Sequence, residues 1–230
     1  MDKTNSAAPI YETLKDEITF LIIPPNQRIS EIEVAKRFNV SRTPIRDVFK
    51  RLEVEGFLKI IPQKGTYVTR IDMSDLADMM YLREKIELAV VEDLCGKLSQ
   101  DQIIRLQFQI AQQKKLLSES MDMMTKARNF IKHDNVFHST IFSQAGKPSL
   151  WKYMLNIGPH YHRYRTLNNL KDETVLTNLC EEHEKIVEAL IHSDMQTIKQ
   201  IYQEHIFGGL SNFYAIVNKY PQYFTKTDMS

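Results

Sequence analysis

The 230-residue chain is 43% hydrophobic with a formal charge of only +1, ordinary values for a globular protein of one large or two small domains. Overall charge therefore does not mark a nucleic-acid binder, no apolar run approaches the ~20 residues of a membrane span, and Cys95 and Cys180 are too few for a disulfide framework. Met1 to Pro9 is polar, unlike a secretory leader, so the cytoplasm is the expected compartment. Charge is uneven along the chain: residues 1–70 hold twelve basic and nine acidic side chains, the remainder eighteen and twenty.

Met1 to Ala8 reads as a loose tail. Ile10, Leu14, Ile18, Leu21 and Ile22 mark a helix stopped by Pro24-Pro25. Ser30 with Glu33 forms a capping box, flanked by Ile29 and Val34 at staple positions. The short helix that follows has Val34, Ala35 and Phe38 on its apolar face, and Asn39 suits a left-handed C-terminal residue. A second start signal comes at Ser41 or Thr43, with Pro44 in the first turn. Ile45, Val48, Phe49 and Leu52 then repeat at helical spacing until Gly56. Two short helices joined in this way are a helix-turn-helix. Leu58 to Ile61 and Thr66 to Val68 predict two strands around Pro62-Gln63-Lys64-Gly65, a turn with a basic tip. The sum is a winged helix.

In such a motif the start of the second helix reaches base edges in the major groove. Arg42, Thr43 and Arg46 stand there, with Lys50 and Arg51 further along, and arginine is well shaped to grip guanine. Lys36 to Arg70 holds nine basic residues against three acids, an excess suited to phosphate contact. The alternative is a solvated, mixed-charge helical hairpin.

Val40-Ser-Arg-Thr-Pro-Ile-Arg46, Leu52-Glu-x-Glu-Gly56 and Gly65-Thr-Tyr-Val68 resemble the signature of the GntR family of bacterial transcription regulators. The resemblance implies DNA contacts by Arg42 and Arg46 and entry of the wing tip, Lys64 and Gly65, into the minor groove. Many members carry another basic residue early in the preceding helix; this chain has Ile32 near there.

After a connector at residues 71–74 the pattern is helical, and mainly α is the expected fold class. Six helices are expected in an antiparallel bundle. The first runs from about Ser74 to Leu98, the second from Asp101 to Leu117 and the third from Asp122 to Ala145. The fourth runs from Ser149 to Leu170, with a kink at Gly158-Pro159. The fifth runs from Glu173 to Ile191. The sixth runs from Asp194 to about Lys219, with a bend or close packing at Gly208-Gly209. Tyr220 to Ser230 reads as a tail. The expected domains are thus a winged helix over 1–70 and an all-helical effector-binding and dimerisation domain over 75–230.

Four polar residues fall on core-facing stripes. Asp134 and His138 lie one turn apart among Phe130, Ile131, Phe137, Ile141 and Phe142. His183 is in line with Ile186, Val187, Leu190 and Ile191, and His205 with Ile198, Ile201 and Tyr202. Buried unpaired ionisable groups are costly, and a divalent metal satisfies all four at once. Oxygen and nitrogen donors suit zinc, nickel, manganese or iron. The alternative is that each is satisfied by an ordinary hydrogen bond, Asp134 pairing with His138. His133, His160, His162 and His192 lack this placement.

Phe130-x3-Asp134-x2-Phe137-His138, Glu182-His183-x2-Ile186 and His205-Ile206 resemble FCD, the helical ligand-binding domain of one large GntR branch. That resemblance implies a metal held by Asp134, His138, His183 and His205, and a small carboxylate effector bound with its help. A bound anion also wants donors nearby. Arg83, Tyr161 and Arg165 are the candidates, against a pairing of Arg83 with Glu87 and a surface position for Arg165.

The leading expectation is a ligand-responsive transcription regulator, not an enzyme, binding a pseudo-palindromic operator as a homodimer. A metal-dependent hydrolase with a DNA-binding module is the alternative. It needs an open metal position and a general base, and no further acid is expected on an inward stripe. A third reading is an architectural DNA-binding protein whose bundle responds to no effector.

Overall fold

The computed structural model describes residues 7–156 and 158–225; most of the expected N-terminal tail lies outside them. The chain divides into two compact units. One takes in the chain up to Leu76, Gly158–Tyr164 and the chain from Ala215 onward. The other takes in Ala77–Ile157 and Arg165–Tyr214. The unit holding the winged helix is thus not the continuous span 1–70: two short segments from the second half of the chain join it.

In that first unit, α1 (Ala7–Thr19), α2 (Glu31–Arg37) and α3 (Arg42–Val54) accompany β1 (Arg28–Ile29), β2 (Leu58–Ile61) and β3 (Gly65–Val68). Their core is apolar: Ile10, Leu14 and Ile18 of α1 meet Val34, Ile45, Phe49, Leu52, Leu58 and Val68. The α1 helix ends before Leu21, which adopts a left-handed φ of 61°, and the Ile23 N–H closes it on the Glu17 carbonyl at 3.1 Å. Leu21 and Ile22 are therefore not on its stripe. Ser30 caps α2 by accepting from the Glu33 N–H. Asn39 takes φ 53°, the left-handed turn between α2 and α3. Ser41 is the N-cap of α3, without a side-chain cap bond. The sheet is antiparallel in the order β1-β3-β2, with Leu58 opposite Val68 and Arg28 opposite Tyr67. The two-residue β1 was not expected, being too short for an alternation to register.

The end of the chain is not a plain tail. Phe224 is buried and bridges to Ile71, whose N–H donates to the Tyr223 carbonyl at 2.7 Å. Ile71, in the expected connector, has no solvent exposure. Arg163 is likewise fully buried. It donates to the carbonyl and hydroxyl oxygens of Thr69, and the Thr69 hydroxyl donates to the Gly56 carbonyl at 2.6 Å. Burial alone lowers the Arg163 pKa to about 9.

The remaining helices are α4 (Met73–Leu94), α5 (Gln100–Ser118), α6 (Met123–Gln144), α7 (Pro148–Asn156), α8 (Pro159–Asn169), α9 (Glu173–Ile191), α10 (Met195–Phe207) and α11 (Phe213–Lys219). The expected fourth helix is two, α7 and α8. Gly158 is left-handed at φ 61°, and Pro159 opens α8, where its missing N–H costs no bond. The expected sixth is also two, because Gly208–Asn212 tightens to a 3-10 helix. A Cβ on Gly209 would stand 3.4 Å from the Asn168 amide, so backbone packs closely there. In the second unit α5 packs on α6 and α9, and α9 on α10. Gln144 at the end of α6 bonds the Gln102 carbonyl at the start of α5, so that pair is antiparallel. Cys95 and Cys180 are free.

Candidate nucleic-acid interface and metal centre

Arg42, Thr43, Arg46, Lys50 and Arg51 are all exposed on α3, because its other face, Ile45, Val48, Phe49 and Leu52, is buried. Arg51 is engaged within the protein: its Nε is 3.1 Å from Glu55 Oε1, and its guanidinium lies over the Tyr11 ring at 3.5 Å. At the wing, Lys64 is exposed. Gly65 has φ 124°, and a Cβ there would stand 2.8 Å from Arg28 Nε. Glycine lets the Arg28 guanidinium cross the tip, adding a cation that the sequence reading had not placed there. Ile32 is exposed on α2.

In the second unit, Asp134 and His138 of α6, His183 of α9 and His205 of α10 are buried, and one donor atom from each lies within 4.8 Å of the others. Nε2 of His205 is 3.3 Å from Nε2 of His138. Nε2 of His138 is 3.7 Å from Asp134 Oδ2, and Nε2 of His183 is 3.5 Å from Asp134 Oδ1. Donors around one ion at ~2.1 Å stand about 3.4 Å apart in a tetrahedron, so the spacing suits a divalent ion.

The outer nitrogens explain why the rings face inward. Nδ1 of His138 is 2.8 Å from Glu87 Oε2. Nδ1 of His183 is 2.8 Å from Gln113 Oε1, and Nδ1 of His205 is 2.7 Å from Glu182 Oε2. At His183 and His205 the oxygen acceptor fixes the proton on Nδ1 and leaves the Nε2 lone pair facing inward; at His138 the Glu87 carboxylate is at ion-pair distance but is not aligned for a hydrogen bond. Two Nε2 lone pairs 3.3 Å apart repel unless a proton or cation lies between them. Among the described residues, His183 Nε2 is buried without a hydrogen-bond partner, as expected of a ligand atom.

The electrostatics run the same way. Burial pushes the Asp134 carboxyl up, but the Arg165 guanidinium and then the three imidazoles outweigh it, holding it well below the usual range. Burial lowers the pKa of His138 and, more strongly, of His183, favouring the neutral rings that metals bind. Burial also opposes ionisation of Glu87, yet Arg83 and His138 bring it to about 2.

Arg165 is buried, not on the surface, and pairs with Asp134 while donating to Asn135 Oδ1 at 2.8 Å. Arg83 bonds Glu87 Oε1 at 2.6 Å, and Glu87 in turn stands beside His138. Tyr161 is half-buried, has its ring 5.5 Å from that of His162, and belongs to the winged-helix unit. The sequence reading named Glu87 only as a partner of Arg83 and Glu182 only within the FCD-like motif, did not single out Gln113, and placed none of the three behind an imidazole. Glu87 also corrects the expectation of no further inward acid, since it is fully buried. Its i, i+4 pairing with Arg83 was the expected alternative and is found, but that spacing does not reveal that the pair faces the cluster. Gln113 gave no signal, being a polar residue on a mixed helix. Beside the cluster, an open groove of about 630 Å³ is lined in part by Arg105, Asn135, Ser139 and Trp151; Trp151 stacks on His138 with ring centres 5.3 Å apart.

The model of the bacterial regulatory proteins of the gntR family matches residues 6–68, and the FCD domain model matches residues 78–208. The chain belongs to the FCD branch of the GntR family. It is similar to the HTH-type transcriptional repressor RspR of Escherichia coli, 27% identical over 197 residues, 86% of this chain and 84% of that one. It is also similar to the HTH-type transcriptional regulator YdhC of Bacillus subtilis, 26% identical over 195 residues, 85% of each chain. The solved structure of E. coli McbR/YncC shares the fold, with a TM-score of 0.70 at 17% identity over 93% of this chain and 98% of that one. A GntR regulator from Rhodococcus sp. RHA1 does so at 0.66 and 15%, over 91% and 97%. GntR regulators bind DNA through the helix-turn-helix, and this chain is a DNA-binding transcription regulator of that kind. Among the described residues no helix is long and apolar enough to cross a membrane.

Proposed function

We propose that this GntR regulator senses a small organic acid through a divalent ion held by Asp134, His138, His183 and His205, and that the sensing alters its grip on a specific operator. The observation that carries the reading is the cluster of one donor atom each from Asp134, His138, His183 and His205 within 4.8 Å of one another, with each Nδ1 close to an outer oxygen. Zinc, nickel, manganese and iron all suit the donors. A bound ion supplies positive charge for a carboxylate. Arg165 already binds one carboxylate, that of Asp134, and is the leading candidate to bind another from an effector. The groove at Asn135 and Trp151 is the route of approach. Arg83 acts by holding Glu87, and Tyr161 is the weaker candidate.

On the DNA side, Arg42, Thr43 and Arg46 read bases, Lys50 and Arg51 track phosphates, and Lys64 with Gly65 carries the wing to the minor groove. One winged helix reads few bases, so a homodimer on a pseudo-palindromic operator is the economical form. The compartment is then the cytoplasm. The effector shifts DNA affinity only by as much as it distinguishes two arrangements of the protein. Turnover is not part of the reading: Glu87 is paired with Arg83 and sits at the Nδ1 side of His138, away from the side where an ion-bound water would need a base.

Metal analysis of the purified protein tests this reading, followed by melting curves with a panel of small carboxylates. Metal at one per chain and stabilisation without turnover are expected. A metal-free protein that binds none when supplied would end it.

A further inference from the structure

Glu31 is an acid on the surface that the regulator turns to DNA. It opens α2, and its Oε2 lies 3.0 Å from Arg42 Nη2 and 3.7 Å from Arg46 Nε. Those two arginines are one turn apart on α3, where like charges repel. Facing a polyanion, a carboxylate is unfavourable for simple adhesion. Here it joins two helices of the motif through a single oxygen, and it leaves the three-residue group with one net positive charge.

We propose that Glu31 is a positioning residue that sets DNA specificity by holding Arg42 and Arg46 together, ready for base edges. The inference rests on the reading of Arg42 and Arg46 as base-contacting residues. Arginine is long and rotamer-rich; its planar fork discriminates bases only when presented in a set direction. Loosened, the same guanidiniums settle on phosphates, which carry no sequence information. Removing the carboxylate therefore has two opposite effects. Binding to any duplex tightens, because one negative charge is gone and two cations are released. Discrimination between duplexes falls, because the orientation of the cations is lost. A residue that only stabilised the start of α2 would not produce that pair of signs.

The test uses the full-length protein. A randomised duplex library is enriched on the wild type to yield a preferred duplex. Wild type, Glu31→Gln, Glu31→Asp and Arg46→Ala are then titrated against that duplex and a scrambled one across a salt series, with melting temperatures recorded. Glu31→Gln should bind the scrambled duplex more tightly, with a salt dependence steeper by up to about one unit per protomer. Its preference for the enriched duplex should fall about tenfold, within the range one bidentate base contact carries. Glu31→Asp should retain most of the preference. An unchanged preference in Glu31→Gln, or equal weakening on both duplexes, overturns the proposal. Full affinity of Arg46→Ala for the enriched duplex would instead remove the reading beneath it.

Discussion

Arg165 and Asp134 form an ion pair inside the helical unit, with almost no solvent on either side chain. The guanidinium is in direct contact with a carboxylate that three imidazoles surround. Removing one partner of a buried pair typically costs 3–5 kcal/mol. Arg165→Gln should therefore lower the stability of chelator-treated protein by roughly that amount. Added zinc or nickel should restore much of it, since the ion neutralises Asp134 directly. Denaturant titration with and without metal checks this; an equal loss in both conditions would separate Asp134 from the metal.

Loss of His183 and His205 together should abolish stoichiometric metal binding. Glu182→Gln is the finer probe, because it weakens only the acceptor behind His205. Partners of this kind change metal affinity about 10–100-fold. Competition against a chromogenic chelator measures it, and a double variant that holds as much metal as wild type would refute the ligand set.

Acid should weaken the metal-free fold. The folded pKa values of His138 and His183 lie below 6.5, so below that pH the unfolded chain binds protons the folded chain refuses. Stability is then complete above about pH 6.5 and declines as pH falls, by at most ~1.4 kcal/mol per pH unit for each ring. Glu87, lowered from 4.5 to about 2, adds a second loss between those values as its carboxylate is protonated. Denaturation midpoints at pH 7.5, 5.5 and 4 test the sign. Metal should be released along the first decline, since protons compete for the same nitrogens.

Tyr202 is fully buried, and among the described residues its hydroxyl has no hydrogen-bond partner. Burial raises its pKa well above the usual value, so it stays a neutral donor. Tyr202→Phe should leave the effector-free protein as stable as wild type or more stable by about 1 kcal/mol. If the hydroxyl serves an effector, the variant loses ligand-induced stabilisation while keeping its metal. A drop in the melting temperature of the ligand-free variant would mean that the hydroxyl is satisfied.

Arg46→Ala should leave melting unchanged, since the side chain is exposed and its contact with Glu31 is at 3.7 Å. Surface pairs contribute ~0–1 kcal/mol. Operator affinity should fall by about 1–3 kcal/mol per half-site. Gel shift on the enriched duplex reads the loss.

Much of this protein was legible because helical periodicity is local. Ile45, Val48, Phe49 and Leu52 mark the buried face of α3, and by subtraction the basic face. Phe137 and Ile141 mark the inward side of α6, and so place Asp134 and His138 there. Caps and turns were legible for the same reason, as at Ser30 and Asn39. Breaks were harder: Gly158-Pro159 reads as a kink within one helix, and the structure makes it a boundary between α7 and α8.

The amino-acid order by itself determined which faces of which helices would be buried, because side-chain direction follows from a spacing of three or four residues. It therefore named the basic helix and the four converging polar residues. Tertiary structure alone decided what stands behind them: Glu87, Gln113 and Glu182 at the three imidazoles, Arg165 on Asp134, Glu31 between Arg42 and Arg46, Phe224 against Ile71. Most of these pairings join residues far apart along the chain. Nothing in a local window records them, since they come into being only when the helices pack.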